Sequence, residues 1–567
     1  MKNLLNKTLI TILVIIFYAK LFSSQLHVSI NDPIYVYMDR LSTQGVLPSY
    51  MNGTLPLARD YISEMLLELE QQRDQLSRID QEILDEYLAD YRYELKDTPY
   101  FRMDEKQKTY HPLSSGFNIK DEIRELVSYK EEQEDHHLVV YEHEDDLVWL
   151  DIGGFGRYER NNSSAQLPYA QRYKVAIIIN KKLTAYNETN FNGILHNRNN
   201  YNIPHEYKGG FQLVSDGILG FDHMISFDYS TSYIQYESKY GDLSLSIQPL
   251  KWGNGKKSII LSNNTIPITM LSWNTIIGKS RLSYFHGWIE AKDTLNFDES
   301  TENRSKYLVG HRWEINLTKR LNLAFSELLV YGGRSPEVVY FIPVILLYPV
   351  DQNLTESNQD NILWFFEGEY FPMQSLKLYG TFMMDDLTTS KITKDFYGNH
   401  LGVQAGTHVS GNIFSHPTDL RLEWTAVRPW SYTHRTLYGN YTNFGRCLGF
   451  EYGPNSQFLM LENRWWLNTR NRFSISFEQL KWGKEPEEDM DDGYDFGNDP
   501  NENYSLANPE YHNTTGWLIG DIQTTQTVQF LWEYQLSNII GLELVFAHIK
   551  EMAESFNTMS LQVNVDY

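Results

Sequence analysis

The sequence predicts a mostly β protein: a large antiparallel transmembrane β-barrel of about 16–18 strands, preceded by a small amino-terminal α-helical bundle. The main observation lies in the final stretch, Met559 to Tyr567, where apolar residues occupy the odd positions and polar residues the even ones. A period of two gives a strand one apolar and one polar face. Because the edge strand of a soluble sandwich could look the same, the prediction depends on recurrence of the pattern.

The alternation recurs upstream, in segments of about 9–11 residues, the length of a tilted strand that crosses a bilayer. Examples lie at 243–248, 420–426, 473–478 and 527–534, with Leu531 as an exception. Their polar partners include charges, which suit a wide, wet or plugged lumen better than a dry core. Aromatic residues form 14% of the chain, and both the interfacial girdles of barrels and sugar-binding surfaces use such residues.

Composition argues against several other classes. No internal run reaches the ~18 apolar residues of a membrane helix. A net charge of −24 argues against a nucleic-acid partner, for which a basic stripe is expected. The single cysteine, Cys447, leaves no internal disulfide and is predicted to be buried and inert.

The chain begins with a predicted signal peptide, residues 1–24. Lys2 and Lys7 precede an apolar run over 9–18, and the small residues Ser23 and Ser24 follow it. This order is typical of an export signal, with an uncleaved membrane anchor as the alternative.

Residues 25–135 are predicted to form the amino-terminal helical domain, either in the periplasm or as a plug. Apolar residues follow helical spacing from Pro56 to Glu70, from about Leu76 to Leu95 and, more weakly, over 119–130. From Leu138 the period changes to two, so residues 136–567 are assigned to the outer-membrane barrel.

Counting strands back from the carboxy terminus assigns the connections to sides. Both termini of such barrels usually face the periplasm, where the turns are short. Ser537-Asn538 and Asn468-Thr469 are then tight inner turns, and the long acidic segment 481–522 lies outside.

One stretch carries a family resemblance. Lys251-Trp252-Gly253-Asn254-Gly255, followed by Leu261-Ser262-Asn263-Asn264 and Pro267, resembles the Trp-Gly-x-Gly … Leu-Ser-Asn-Asn-x-x-Pro signature of the capsule assembly Wzi family. Further stretches match in the same order, at 33–47, 56–59, 310–314 and 378–386. The resemblance thus spans nearly the whole mature chain, although Asn254 stands where the family often has proline and Thr265 where alanine is common.

The resemblance implies an outer-membrane barrel of about eighteen strands with a periplasmic helical bundle. It also implies a non-enzymatic surface lectin, without a cofactor, that holds capsular polysaccharide or exopolysaccharide on the cell. The expected partners are this polymer, outer-membrane lipid and the barrel-assembly machinery. A diffusion porin or glycan transporter is the alternative, favoured if the amino-terminal helices and the 252–267 loop leave the lumen open. A barrel enzyme would need a Ser/His/Asp or paired-acid arrangement, and none is visible.

Five residues are candidates for polysaccharide binding: Trp252, Asn263, Asn264, Arg281 and Arg312. An indole stacks on a pyranose face, and amides pair with hydroxyls in both directions. Arginine binds uronic or phosphate groups bidentately. The alternative is structural: a loop folded into the lumen whose asparagines satisfy turn backbone, and arginines that pair with lumenal carboxylates.

Other polar clusters predict no catalytic or metal site. Asp385-Asp386 is expected at a strand end or a turn; successive strand residues point to opposite faces, so the two could form a catalytic dyad only if the strand has ended there. The acidic run 485–495 lacks calcium-loop spacing. Neither His136-His137 nor 142–144 shows a recognised zinc spacing.

Overall fold

The computed structural model describes residues 26–95, 137–161, 164–197, 213–291, 305–353, 360–387, 389–391, 396–484, 496–502 and 516–566. Eighteen antiparallel strands close into one barrel, which confirms the predicted fold class. The predicted signal peptide, the weak helical segment 119–130 and the acidic run 485–495 lie outside the described residues.

The helices, in chain order, are α1 (Ile34–Thr43), α2 (Arg59–Gln71), α3 (Arg78–Asp90), α4 (Arg92–Leu95) and α5 (Leu347–Asp351). The strands are β1 (Thr54–Leu55), β2 (Val139–His143), β3 (Asp146–Asn161), β4 (Ala165–Ile179), β5 (Leu183–His196), β6 (Leu213–Asp216), β7 (His223–Ser238), β8 (Gly241–Gln248), β9 (Lys251–Trp252), β10 (Leu261–Ser262), β11 (Ile268–Ile277), β12 (Ser280–Ile289), β13 (Lys306–Thr318), β14 (Leu321–Gly332), β15 (Asn361–Met373), β16 (Leu376–Asp386), β17 (His400–Ile413), β18 (His416–Val427), β19 (Thr442–Asn443), β20 (Arg446–Cys447), β21 (Ser456–Trp466), β22 (Asn471–Lys484), β23 (Asp521–Gln535), β24 (Ile540–Glu551) and β25 (Glu554–Asp566).

The barrel closes between its last and first long strands. β25 pairs antiparallel with β3, with Val563 opposite Gly156. The short strands β2 and β6 extend the edges of this wall, beside the start of β3 and the start of β7. Within the described ranges, each of the eighteen long strands therefore has a partner on both sides, while β2 and β6 are each paired on one side.

The period of two separates the wall into an outer and an inner face. In β25, Met559, Leu561 and Val563 are 50%, 46% and 38% exposed. On the inner face charged side chains are buried, with Glu314 and Glu423 both 0% exposed. An apolar exposed wall around buried charges fits a barrel that stands in lipid and encloses a filled lumen.

The two ends of the barrel differ in their connections. At one end the strands are joined by short turns: 180–182, 239–240, 278–279, 319–320, 374–375, 414–415, 467–470 and 536–539. The turns predicted at Ser537-Asn538 and Asn468-Thr469 are confirmed. The longest connections, which include 333–360, 428–455 and 485–520, all join strands at the opposite end. Short turns mark the periplasmic end of such barrels.

Helices α1–α4 share one apolar core, whose most deeply buried members are 0% exposed: Ile34, Met38, Leu41, Leu47, Ile62, Leu66, Leu69 and Leu84. The predicted single helix from Leu76 to Leu95 is wrong in detail, because the backbone leaves helical geometry at Tyr91 and separates α3 from α4. Helix α1 was not predicted, since it is short and Pro33 offers it no capping side chain. No helix among the described residues is long and apolar enough to span a membrane.

Candidate functional site: a lumen filled from both ends

Two segments enter the lumen from opposite ends of the barrel. The amino-terminal segment 26–95, here called the plug, contacts the lumenal wall near the short turns; the connection 249–267, here called the inner loop, folds inward from the other end. They meet in a three-stranded sheet in which Trp252 lies between Thr54 and Leu261. The lumen is therefore crossed by a continuous hydrogen-bonded structure built from both ends.

An ionic cluster anchors the plug to the wall. Asp39 of α1 is 6% exposed and pairs with Lys377, with Arg421 at 2.6 Å and with His408 at 3.2 Å. Lys377 also contacts Glu369 at 3.1 Å. Burial opposes the charge on Asp39, but the adjacent Lys377, His408 and Arg421 outweigh it and hold the pKa of Asp39 well below its usual range.

Both candidate arginines bind structural partners in this region. The Arg281 guanidinium donates to the Met51 carbonyl at 2.9 Å and stacks on the Tyr61 ring at 4.5 Å. Arg312 pairs with Glu367, and both arginines are at most 5% exposed. The pair of Arg312 with Glu367 is the kind of contact that the structural alternative predicts, whereas Arg281 mainly binds the plug and lies 4.0 Å from the Glu314 carboxylate.

The tip of the inner loop is held by carboxylates from the facing wall. The backbone N–H groups of Lys256 and Lys257 donate to the two oxygens of Glu423, at 2.8 and 3.3 Å. The N–H of Asn254 donates to Glu367 at 3.3 Å. Glu367 therefore contacts both Arg312 and Asn254, and it links Arg312 to the inner loop.

Glycine occupies the two signature positions, 253 and 255, for different structural reasons. Gly253 has φ +109°, in a region that side chains rarely adopt, and its N–H donates to the Gly53 carbonyl at 2.8 Å. Gly255 lies against the Gln404 carboxamide, so a Cβ there would collide with it. The backbone of the loop thus requires a glycine at 253, and Gly255 leaves room for the Gln404 carboxamide that binds the loop tip.

Trp252 and the two asparagines are also placed by the loop. Trp252 is 1% exposed and packs edge-to-face on Phe285, with ring centroids 5.1 Å apart. Asn263 adopts φ +60°, and the Asn264 amide donates to the Cys447 carbonyl at 3.2 Å. An indole this buried presents no open face to a sugar in this structure, so direct sugar contact by these residues stays a prediction.

The connection 428–455 covers the inner loop from the long-loop end. The hydroxyls of Tyr432 and Tyr441 donate to the carbonyls of Ile259 and Ile260, at 2.7 and 2.9 Å. Cys447 is 4% exposed in the same layer, and burial raises the pKa of its thiol to about 12. The expected buried cysteine is confirmed, and the thiol stays protonated at neutral pH.

The acidic pair lies where the sequence predicts. β16 ends at Asp386, and the Asp385 carboxylate turns inward to accept the N–H of Tyr432, while the Asp386 side chain is 61% exposed. The two carboxylates do not share one site. Among the described residues, no cluster of three His, Cys, Asp or Glu side chains could hold a metal ion.

Acidification is expected to loosen the first residues of the plug. The backbone N–H of His27 donates to the Tyr233 hydroxyl at 2.9 Å, and the His27 ring nitrogen Nδ1 lies 2.9 Å from the Gln248 side-chain oxygen. Desolvation lowers the pKa of His27, although Gln248 and Asp60 favour the charged ring. The stabilisation is therefore complete above the unfolded pKa of about 6.5 and is lost as the pH falls below it.

The measurement is protease sensitivity of the amino terminus between pH 7.5 and 5, in the intact protein. Cleavage should rise at the acidic end in the wild type and change less in His27→Gln, whose amide keeps polar contacts without titrating. Equal pH profiles for the two proteins would contradict the assignment to His27.

Comparisons with known proteins agree with this architecture. Residues 153–532 match the family model described as capsule assembly protein Wzi. Among solved structures, the fold resembles Wzi from Escherichia coli, described as an outer-membrane protein involved in group 1 capsule assembly and a carbohydrate-binding β-barrel; identity is 13%, the TM-score is 0.56, and the alignment covers 94% of this chain and 98% of that one.

Similarity to OprD from Pseudomonas aeruginosa is lower, at 9% identity and a TM-score of 0.41 over 74% of this chain and 95% of that one. No curated protein matches the sequence. The family match runs from β3 to β23 and covers more than half of the chain. This protein therefore belongs to the capsule assembly Wzi family of outer-membrane β-barrels.

Proposed function

We propose that this protein anchors capsular or another surface polysaccharide to the cell, as a non-enzymatic, lectin-like barrel of the outer membrane. The observation that carries the proposal is the lumen, in which the plug and the inner loop meet in one sheet around Trp252. A barrel of 16–18 strands whose lumen is open conducts water, so this filling disfavours the diffusion porin or glycan transporter. Family membership and the carbohydrate binding of the E. coli protein support a polysaccharide partner.

The polymer is proposed to bind at the long-loop end, above the layer in which connection 428–455 covers the inner loop. The five sequence candidates lie below this layer, where their contacts support a role in holding the filled lumen in shape. Direct sugar contact by Trp252, Asn263 and Asn264 is the stronger version of the proposal and is tested separately.

Delivery of the protein to the outer membrane is proposed to depend on its first residues and on the barrel wall. Residues 1–24 are proposed to be a cleaved export signal, and residues 25–135 to be the helical domain that enters the barrel from the periplasm. Outer-membrane lipid and the barrel-assembly machinery are the proposed partners of the barrel wall at 136–567. The short turns at the end where the barrel strands begin and finish support this orientation.

Deleting the gene is expected to move most of the polysaccharide from the cell-attached fraction to the medium, because no filled barrel remains to hold it. The wild-type gene should restore retention. The measurement is the ratio of cell-attached to shed polymer. In a second measurement, polymer is incubated with the purified protein, and the polymer length should not change. The triple variant Trp252→Ala, Asn263→Ala, Asn264→Ala tests the stronger version, with Lys239→Ala in a short turn as the matched control.

The outcomes separate the hypotheses. Polymer shedding by a triple variant that still folds and resists protease supports direct contact through the inner loop. Unchanged retention in the deletion strain, together with reduced uptake of small solutes, contradicts anchoring and supports the porin. Shortened polymer in the purified mixture contradicts a non-enzymatic role.

A further inference from the structure

Part of the connection between β14 and β15 lies flat against the outside of the barrel. Residues 333–353, here called the strap, cover the outer wall of β12 to β15. Phe341 stacks on His286, with ring centroids 4.1 Å apart and planes 14° from parallel. The Tyr284 hydroxyl donates to the Tyr340 carbonyl at 3.0 Å. Because Phe285 faces Trp252 inside the lumen, its neighbours Tyr284 and His286 face outward.

The wall beneath the strap is an apolar cluster that includes Val309 and Leu329, but it also holds one carboxylate. Glu327 of β14 is 1% exposed. Its carboxylate accepts the N–H groups of Leu347 and Tyr348 at 2.7 and 3.1 Å and the indole N–H of Trp364 at 3.0 Å. Without the strap, this carboxylate would lose two of those donors and stand on a wall that otherwise carries apolar side chains.

The depth of Glu327 places it within the membrane-crossing part of the strand. β14 begins beside a short turn at Leu321, and Glu327 follows six residues later. A tilted strand needs about 9–11 residues to cross the hydrocarbon. A bare carboxylate at this position would therefore face lipid, which is costly.

The first part of the strap is fixed beside the start of β15. The Arg334 guanidinium donates to the two carboxylate oxygens of Asp360 at 2.8 and 2.6 Å, and the Tyr340 hydroxyl donates to the same carboxylate at 2.8 Å. Arg334 also bonds Glu337 at 3.0 Å. These contacts hold the first part of the strap close to the start of β15.

The outward face of the strap is apolar and uncovered. Residues 338–350 contain no charged side chain. Val338, Val344 and Leu346 are 81%, 75% and 61% exposed. The face continues into the lipid-facing wall, because Tyr348 packs on Trp364 with ring centroids 5.4 Å apart.

The backbone of the strap is also suited to an apolar solvent. Turn hydrogen bonds join Ile342 N–H to Val339 and Ile345 N–H to Ile342, both at 3.3 Å, and Gln352 N–H to Tyr348 at 3.2 Å. Pro343 and Pro349 carry no N–H at all. Irregular backbone is tolerated at membrane depth only where its polar groups find such partners.

We propose that the strap is seated in the hydrocarbon of the outer leaflet, with Val338, Val344 and Leu346 against lipid acyl chains. Its inner face seals Glu327 and His286 from the same lipid. The occupant is lipid because the apolar face is continuous with the lipid-facing wall and carries no charge that would select a polar partner. The strap thus gives the barrel a second, non-strand contact with the membrane.

Spin labels on the full chain in lipid bilayers test the depth of the strap. In a Cys447→Ser background, labels at Val344→Cys and Leu346→Cys are compared with Leu245→Cys, a lipid-facing wall residue that is 57% exposed, and with Lys239→Cys in a short turn. Accessibility to oxygen relative to a water-soluble nickel chelate should match Leu245 and be several-fold above Lys239. A ratio like that of Lys239 would overturn the proposal, and so would spin–spin broadening between copies, which would identify a second chain as the occupant.

A second pair of variants needs no label. Leu346→Asp should lower the yield of folded barrel in bilayers, because a carboxylate would enter hydrocarbon. The matched control is Leu219→Asp, in the outer connection before β7, where the leucine is 82% exposed. If both variants fold as well as the wild type, the strap lies in water and the proposal is wrong; neither outcome depends on polysaccharide binding.

Discussion

Replacing Asp39 with alanine is expected to weaken the attachment of the plug by about 3 kcal/mol or more, the cost of breaking a buried ion pair from one side. Lys377, Arg421 and His408 all pair with the Asp39 carboxylate. Lys377 keeps Glu369 after the substitution, at 3.1 Å, whereas Arg421 loses its bond of 2.6 Å. The unpaired positive charge of Arg421 then lies against α1, the helix that the ionic cluster anchors in the wild type.

The measurement is unfolding of the plug by denaturant in the folded barrel, followed by protease cleavage within 26–95. The matched control is Asp85→Ala, which removes a plug carboxylate that is 61% exposed and pairs with Arg73. Exposed ion pairs contribute about 0–1 kcal/mol, so this control should stay close to the wild type. Equal losses in the two variants would contradict an ionic anchor at Asp39.

The same residue predicts a dependence on acid. Because the pKa of Asp39 is lowered on folding, its stabilisation is present above the unfolded value of about 3.9 and is lost as the pH falls toward the folded value. The wild-type plug should therefore lose stability below pH 4 by more than Asp39→Ala does. Parallel acid curves for the two proteins would show that another group controls the transition.

The fold of the wall could be predicted because its signal is local. Residues two apart, such as Leu561 and Val563, share a face wherever the strand lies, and a tight turn such as Asn468-Thr469 occupies adjacent positions. The filling of the lumen could not be predicted in this way. Asp39 and Lys377 are 338 positions apart, and no period in the sequence indicates that a helix will meet that strand.

The inner loop and its structural contacts could be predicted in part, whereas sugar binding by the five candidates stays a prediction. The signature identified the inner loop, and the structural alternative named carboxylates as partners for Arg281 and Arg312. It did not identify Glu423 or Gln404, which hold the loop tip through its backbone. Almost every residue type carries the same backbone N–H and C=O groups, so the loop sequence does not indicate which side chains will bind them. Glu423 and Gln404 also lie on distant strands, and their role could not be predicted.

Trp252→Ala is expected to lower the free energy of unfolding by about 3–5 kcal/mol, the range for removing a large buried aromatic. The indole is 1% exposed and packs on Phe285 at the junction of plug and inner loop. Chemical denaturation of the purified barrel measures this loss. Trp252→Leu should recover part of it, because leucine fills some of the cavity with apolar atoms.

The leucine variant also separates packing from sugar stacking. An aliphatic side chain fills space but has no aromatic face for a pyranose. If Trp252 acts by packing, polysaccharide retention should follow stability, so the leucine variant retains more polymer than the alanine variant. If retention is equally lost in both variants while leucine restores stability, Trp252 contacts the sugar itself, and the inner loop must then open to expose it.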